Sequence, residues 1–218
     1  MRFNKLNLIA KNISDRLLQI KAIKLNAQNP FTWASGLRSP IYCDNRLILS
    51  YPEVRKEVIL ALTRQAKTLG PTAIAGVATA GIAWGAYVAD KLELPYCYIR
   101  SKPKDHGLKN LIEGQIPEGS KVLVIEDLIS TGGSSLEAVQ AVIDQNLETI
   151  GVLSIFQYGF AAAKENFEKK SQSFWSLTDF PTLLEQALLS SYINPDDFQK
   201  LKNWNQNPKL WSDQFSHN

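Results

Sequence analysis

The sequence predicts an α/β fold, with a mostly parallel central sheet flanked by helices and a small N-terminal hood. Three observations carry this reading. From residue 72 onward, short apolar runs alternate with helical periods in the order strand, helix, strand, helix, strand. The run "KVLVIE" (121–126) is apolar at four consecutive positions, as a parallel strand covered on both faces requires. The helical stretch "GIAWGAYVADKL" (81–92) is rich in Ala and Gly, which suits close packing.

Ile9, Ile13, Leu17 and Ile20 recur at three- and four-residue spacing and predict an amphipathic first helix. "NPFTWASGLRSPIYCDNR" (29–46) breaks that period, and its Pro and Gly predict turns around short strands. "SYPE" (50–53) reads as a capping box, with Ser50 as N-cap and Glu53 three residues on. Val54, Val58 and Leu62 carry the following helix to about Leu69. Strands follow at 72–78, 95–100, 121–126 and 149–158, with a charged loop at 101–120. Leu136, Val139 and Ile143 mark a further helix. "SLTDFPTLLEQALL" and "NPDDFQKLKNW" read as C-terminal helices with acid-rich starts, which the helix dipole favours. Without a repeat or a clear linker, the chain is expected to form one domain over 1–218, with the hood at about 1–50.

Composition narrows the class. At 218 residues, with 44% hydrophobic and 21% charged side chains, the chain reads as an ordinary soluble globular protein. A net charge of +3 gives no argument for a nucleic-acid or membrane partner. Cys43 and Cys97 fit neither a metal-ligand spacing nor a disulfide framework, so free thiols in a reducing compartment are expected. Only His106 and His217 are present, too few for a His-based zinc site. The first residues show no cleavable leader and no apolar stretch is long enough to span a membrane, which predicts a cytoplasmic location.

The stretch "VLVIEDLISTGGSS" (122–135) asks for a chemical explanation, because packing alone would not drive an apolar strand into two acids. In open α/β sheets, ligands collect at the carboxyl ends of strands, where this stretch is predicted to lie. Backbone N–H groups at a helix start carry partial positive charge, glycine lets an anion approach, and Ser and Thr hydroxyls add donors. Residues 130–134 therefore suit a phosphate monoester. Glu126 and Asp127 would repel that phosphate and must face another part of the ligand. Vicinal sugar hydroxyls are natural partners for carboxylates, and a positive reaction centre or a metal-bound group is the alternative. The combination describes a ribose 5-phosphate site. An ordinary strand-to-helix turn with solvated acids would suit either acid alone, but not the whole string. No GxxxxGK[ST] and no GxGxxG at the first strand-to-helix turn is present, which argues against a P-loop or a dinucleotide fold.

This string resembles the 5-phosphoribosyl 1-diphosphate (PRPP) motif of type I phosphoribosyltransferases. "FTWASGLRSPIYCDNRLILSYPEVR" (31–55), "YIRSKPKDHG" (98–107), "GVLSIFQYG" and "SLTDF" extend the likeness over nearly the whole chain, toward the orotate-using members. The resemblance implies a pentosyltransferase that moves the 5-phosphoribosyl group from PRPP to orotate, in pyrimidine nucleotide synthesis. It implies Mg2+ carried on PRPP oxygens with no protein metal ligand, and a homodimer in which each catalytic loop reaches the neighbour's site. By resemblance, Lys104, His106 and Asp127 are catalytic, and Arg100, Lys104 and His106 contact the departing pyrophosphate. Glu126 and Asp127 hold the ribose hydroxyls, and Leu128, Ile129, Ser130, Thr131, Gly132, Gly133 and Ser134 complete the PRPP motif. Thr79, Ala80 and Gly81 form a pyrophosphate loop, while Tyr42, Cys43 and Ser130 line the orotate pocket. Arg38 and Arg46 are candidates for the base carboxylate, with surface ion pairs as the plain alternative. The five tryptophans (Trp33, Trp84, Trp175, Trp204 and Trp211) read as packing residues.

The chain departs from the enteric branch of this family. It has Ala34 and Ala80 where that branch has Lys, and Tyr158 near the position of an orotate-contacting Arg. Two other readings share the PRPP motif. One is a purine-base phosphoribosyltransferase; the other is a non-catalytic regulator that senses PRPP and binds RNA.

Overall fold

The computed structural model describes residues 2–33, 35–101 and 111–214, with side chains from residue 7 onward. Helix α1 (Arg2–Gln19) leads into four short strands: β1 (Ile23–Leu25), β2 (Phe31–Thr32), β3 (Arg38–Ser39) and β4 (Ile41–Cys43). A 3-10 turn (Asn45–Ser50) and α2 (Pro52–Leu69) follow. The remaining elements are β5 (Ala73–Val77), α3 (Gly81–Leu92), β6 (Tyr96–Ile99), β7 (Ile112–Glu113), β8 (Lys121–Ile129), α4 (Gly133–Ile143) and β9 (Glu148–Gln157). The chain ends in α5 (Ala161–Lys169), β10 (Phe174–Asp179), α6 (Phe180–Leu189), α7 (Pro195–Gln206) and α8 (Pro208–Asp213).

The central sheet has six strands in the order β10-β9-β8-β5-β6-β7. All neighbours pair in parallel except β6 and β7. The mostly parallel α/β sheet expected from the sequence is therefore observed. The four-residue apolar run of β8 serves both faces of the sheet. Leu123 and Ile125 join a core with α1, α2, α3 and α6, while Val122 and Val124 join a second core with α4 and α5. A strand buried on both sides has no polar face, so alternation is absent.

Local expectations fared unevenly. Ser50 does not cap α2; it ends the 3-10 turn, and Tyr51 precedes Pro52, whose fixed φ suits the first helical turn. The segment 174–179 is the edge strand β10 rather than the start of a helix; Asp179 then caps α6 by accepting from the Thr182 N–H at 2.9 Å. Strand β8 runs on through the acid pair to Ile129, three residues past the expected end. Within the stretch expected to be loop, β7 pairs antiparallel with β6.

The hood comprises two small antiparallel pairs, β1 with β4 and β2 with β3. Helix α1 instead packs into the core of the main sheet, where Ser14 and Thr178 share a buried hydroxyl hydrogen bond of 2.7 Å. The chain runs from β5 outward to β6, then returns to the other side of β5 as β8. This reversal opens a crevice at the carboxyl ends of β5 and β8, where such sheets bind ligands.

Candidate active site

Both anion-binding turns suggested by the sequence meet at that crevice. After β5 the chain passes Thr79 and Ala80 into the N-terminus of α3. After β8 it passes Ser130 and Thr131 into the N-terminus of α4. The two turns sit close together because Gly81 has no side chain: a Cβ there would run into the Ile125 carbonyl oxygen of β8. Thr79, Thr131, Gly133 and Ser134 are exposed at the crevice, whereas Gly132 is buried.

The turn before α4 presents free amides. Gly132 is the N-cap and adopts a left-handed conformation at φ 83° with no side-chain cap, and Leu136 N–H is the first to bond back, to the Gly132 carbonyl at 2.9 Å. The amides of the preceding residues thus lack intrahelical acceptors, which is the arrangement that binds phosphate. Helix α5, which the sequence reading left unassigned, supports this turn. Asn166 Nδ2 donates to the Thr131 carbonyl at 3.0 Å, and the Phe167 ring occupies the space a Gly132 side chain would need.

Glu126 and Asp127 lie on the last turn of strand before this cradle. Glu126 is 5% exposed, and its Oε1 accepts from the Asp127 N–H at 2.9 Å. Burial pushes the Glu126 carboxyl far above the usual carboxylate range, and the neighbouring Asp127 charge pushes it further. Burial also raises Asp127, with the Glu126 hydrogen bond and the Arg46 charge opposing. Two carboxyls this close titrate as a unit, and at neutral pH the pair holds a proton. Asn45 is a residue that sequence reasoning missed. It is buried, and its Nδ2 donates to the Asp127 carbonyl at 2.8 Å, tying the hood to the acid pair. Its place in the quoted "SPIYCDNR" segment was the available signal.

Beside the acid pair a cavity of about 240 Å3 is lined by Thr32, Trp33, Tyr42, Cys43, Leu128, Ser130 and Tyr158. Tyr42, Cys43 and Ser130, expected at a base pocket, are brought together here. Leu128, expected to serve PRPP, faces this cavity. Ile129 is 1% exposed in the core and its carbonyl accepts from the Tyr158 N–H, so it offers the site no side chain. Trp33 does more than pack: its ring lies 5.3 Å from that of Tyr158 and its indole N–H donates to the Ile41 carbonyl at 3.0 Å. Trp204, fully buried, meets Trp33 and Tyr158 edge-on from behind. Burial and the nearby Asp127 charge push the Cys43 thiol well up, so it is a neutral wall residue rather than a nucleophile.

On the other side, Arg100 follows β6 and lines a cleft of about 280 Å3 between the ends of β5 and β6 and helix α4. Its N–H donates to the Leu111 carbonyl at 2.8 Å, joining the two ends of the basic loop, and its Nη1 meets Glu113 Oε1 at 3.3 Å. Lys104 and His106 lie outside the described residues. Arg46 donates to Asp44 at 2.8 Å. Among the described residues no group of three His, Cys, Asp or Glu side chains could enclose a metal ion.

An anion cradle, an acid pair and an adjoining base-sized cavity at one switch point define a class of protein that handles a sugar phosphate. A family model described as "Phosphoribosyl transferase domain" matches residues 53–181. An orotate phosphoribosyltransferase of Porphyromonas gingivalis is 50% identical over 93% of this chain and 98% of its own. That of Bacillus subtilis is 53% identical over 90% of this chain and 92% of its own. A crystal structure of orotate phosphoribosyltransferase from Aeropyrum pernix superposes with a TM-score of 0.72 at 25% identity, covering 84% of this chain and 99% of that one. The chain belongs to the orotate phosphoribosyltransferase family.

Proposed function

We propose that this protein transfers the 5-phosphoribosyl group of PRPP to orotate, releasing pyrophosphate and forming orotidine 5′-monophosphate. The observation that carries the reading is the junction of β8 and α4, where a buried acid pair runs directly into a turn of unpaired amides. The relatives named above act on the substrates this site would take.

In this reading the 5-phosphate rests on the amides of Thr131 to Ser134, and Glu126 and Asp127 accept the ribose hydroxyls. Orotate enters the cavity between Tyr42, Ser130 and Tyr158. Pyrophosphate lies toward Thr79, Ala80 and Arg100. The bond from the anomeric carbon to the pyrophosphate oxygen breaks and its electron pair leaves with pyrophosphate. A ring nitrogen of orotate supplies the pair for the new C–N bond, so no covalent nucleophile is needed. Cations aimed at the charge growing on pyrophosphate lower the barrier, the role assigned to Arg100, Lys104 and His106. Asp127, the more exposed of the pair, faces the sugar as positive charge develops there.

Mg2+ bound to PRPP oxygens would neutralise pyrophosphate charge. The residues present fit that arrangement, because magnesium commonly takes substrate phosphates with one or two carboxylates rather than an all-protein cage. We also read the chain as a cytoplasmic homodimer. The free cysteines support a reducing compartment, and among the described residues no helix is long and apolar enough to cross a membrane. The dimer rests on family resemblance alone. The test is orotate absorbance in the presence of PRPP and Mg2+, with hypoxanthine, guanine and adenine as competing acceptors. Orotate should be consumed only when all components are present. Turnover of a purine instead would replace the reading, and PRPP binding without turnover of any base would make the chain a sensor.

A further inference from the structure

Among the described residues, no cation lines the base cavity. Its walls are aromatic rings, hydroxyls, a leucine and a neutral thiol. If the acceptor is orotate, as proposed above, its carboxylate would face this wall without a partner, and an unpaired buried anion is strongly disfavoured. The hood carries two arginines that are candidates to answer it, Arg38 and Arg46. Arg46 is engaged: its Nε donates to Asp44 at 2.8 Å. Arg38 is differently placed. It stands opposite Thr32 in the β2–β3 pair, and directly opposite residues project to the same face. Its Nη1 donates to Thr32 Oγ1 at 2.8 Å, and Thr32 lines the cavity. The guanidinium therefore sits one hydroxyl away from the base site. Among the described residues no carboxylate pairs with it, so most of its five N–H donors remain available.

The position of Arg38 is fixed from outside the matched family domain. Its backbone N–H donates to Ser212 Oγ at 2.9 Å, and Ser212 is buried on α8 at 4% exposure. The same hairpin leans on α7 through Trp33 and Trp204, whose rings meet at 5.9 Å. The family model ends at residue 181, so both the hairpin and the helices that hold it lie outside the shared domain. We propose that Arg38 recognises the carboxylate of the base, and that Ser212 of the C-terminal helix α8 is the positioning residue that holds it at the cavity rim. Specificity for a carboxylated pyrimidine would then reside in the clasp between hood and C-terminus, while the shared domain handles PRPP.

The test compares orotate with uracil, which lacks the carboxylate, in wild-type protein and in Arg38→Gln and Arg38→Lys. A lost charge-assisted contact corresponds to about a 10- to 100-fold effect. Arg38→Gln should raise the KM for orotate by that factor, leave the KM for PRPP unchanged, and reduce the preference for orotate over uracil by the same factor. Arg38→Lys should restore part of the preference, and Ser212→Ala should raise only the orotate KM, by a smaller factor. Unfolding of one variant leaves the other two to decide. Folded Arg38 variants with wild-type orotate KM and wild-type preference would overturn the inference while leaving the orotate reading intact. Failure of the wild-type protein to use orotate would remove both.

Discussion

Replacing Glu126 by Gln should make the protein more stable as the pH rises. The reason is the burial of a carboxyl that is 5% exposed beside a second acid. Burial shifts it from the ordinary value of 4.5 up to about 9. With the folded value raised, the unfolded chain releases a proton between those limits that the folded chain retains. Stability is therefore full below pH 4.5 and is lost as pH rises toward the folded value. The loss is ~1.4 kcal/mol per pH unit, or ~3 kcal/mol by pH 7 before local relaxation and water entry reduce it. Asp127 is shifted in the same direction by its own burial, with the Glu126 hydrogen bond opposing. Gln keeps the shape and the carbonyl that accepts from the Asp127 N–H, but carries no proton to lose. If ~2 kcal/mol survives, the melting temperature of Glu126→Gln relative to wild type should increase by roughly 4–8 °C between pH 5 and pH 8. Differential scanning fluorimetry of both proteins across that range reads it. A constant difference, or one that shrinks with pH, would show that Glu126 is not a buried acid, and the electrostatics assigned to the site would be wrong.

Other perturbations separate the parts of the site. Asp127→Asn should lower kcat/KM for PRPP by about 10- to 100-fold, the size of a lost charge-assisted hydrogen bond, with a smaller change for orotate; steady-state kinetics with each substrate varied would show the asymmetry. Lys104→Ala should reduce turnover by about 100- to 1,000-fold if it stabilises pyrophosphate charge, with an unchanged melting curve; wild-type turnover would take the loop out of the mechanism. Gly81→Ala should destabilise the protein by ~1–3 kcal/mol and weaken PRPP binding, because the new methyl collides with the Ile125 carbonyl and separates the two turns; calorimetry and PRPP titration would both detect it.

The parts legible in the sequence were those that rest on local pattern. Strand β8 was visible because a doubly covered strand has to be apolar on both faces, and the cradle because free amides, glycines and hydroxyls are contiguous in 130–134. The misreadings came from local signals overridden nearby. Ser50 and Glu53 matched a capping box, but Pro52 set the helix start one residue later than expected. Asp179 does cap α6, but the first turn of that helix carries no acid, and the preceding segment up to Asp179 pairs with β9 and is strand. Strand β7 has two residues and no period to find. The base cavity could only be half seen. Tyr42, Cys43, Ser130 and Tyr158 lie in recognisable segments, whereas the α7–α8 support comes from a distant part of the chain and meets them only through tertiary packing.

A structure of the protein with PRPP and Mg2+ tests the central claim most directly. The account predicts the 5-phosphate on the backbone amides of Thr131 to Ser134, with the ribose 2- and 3-hydroxyls on Glu126 and Asp127. A bound PRPP whose phosphate avoids that turn, or whose hydroxyls leave both carboxyls untouched, would contradict it.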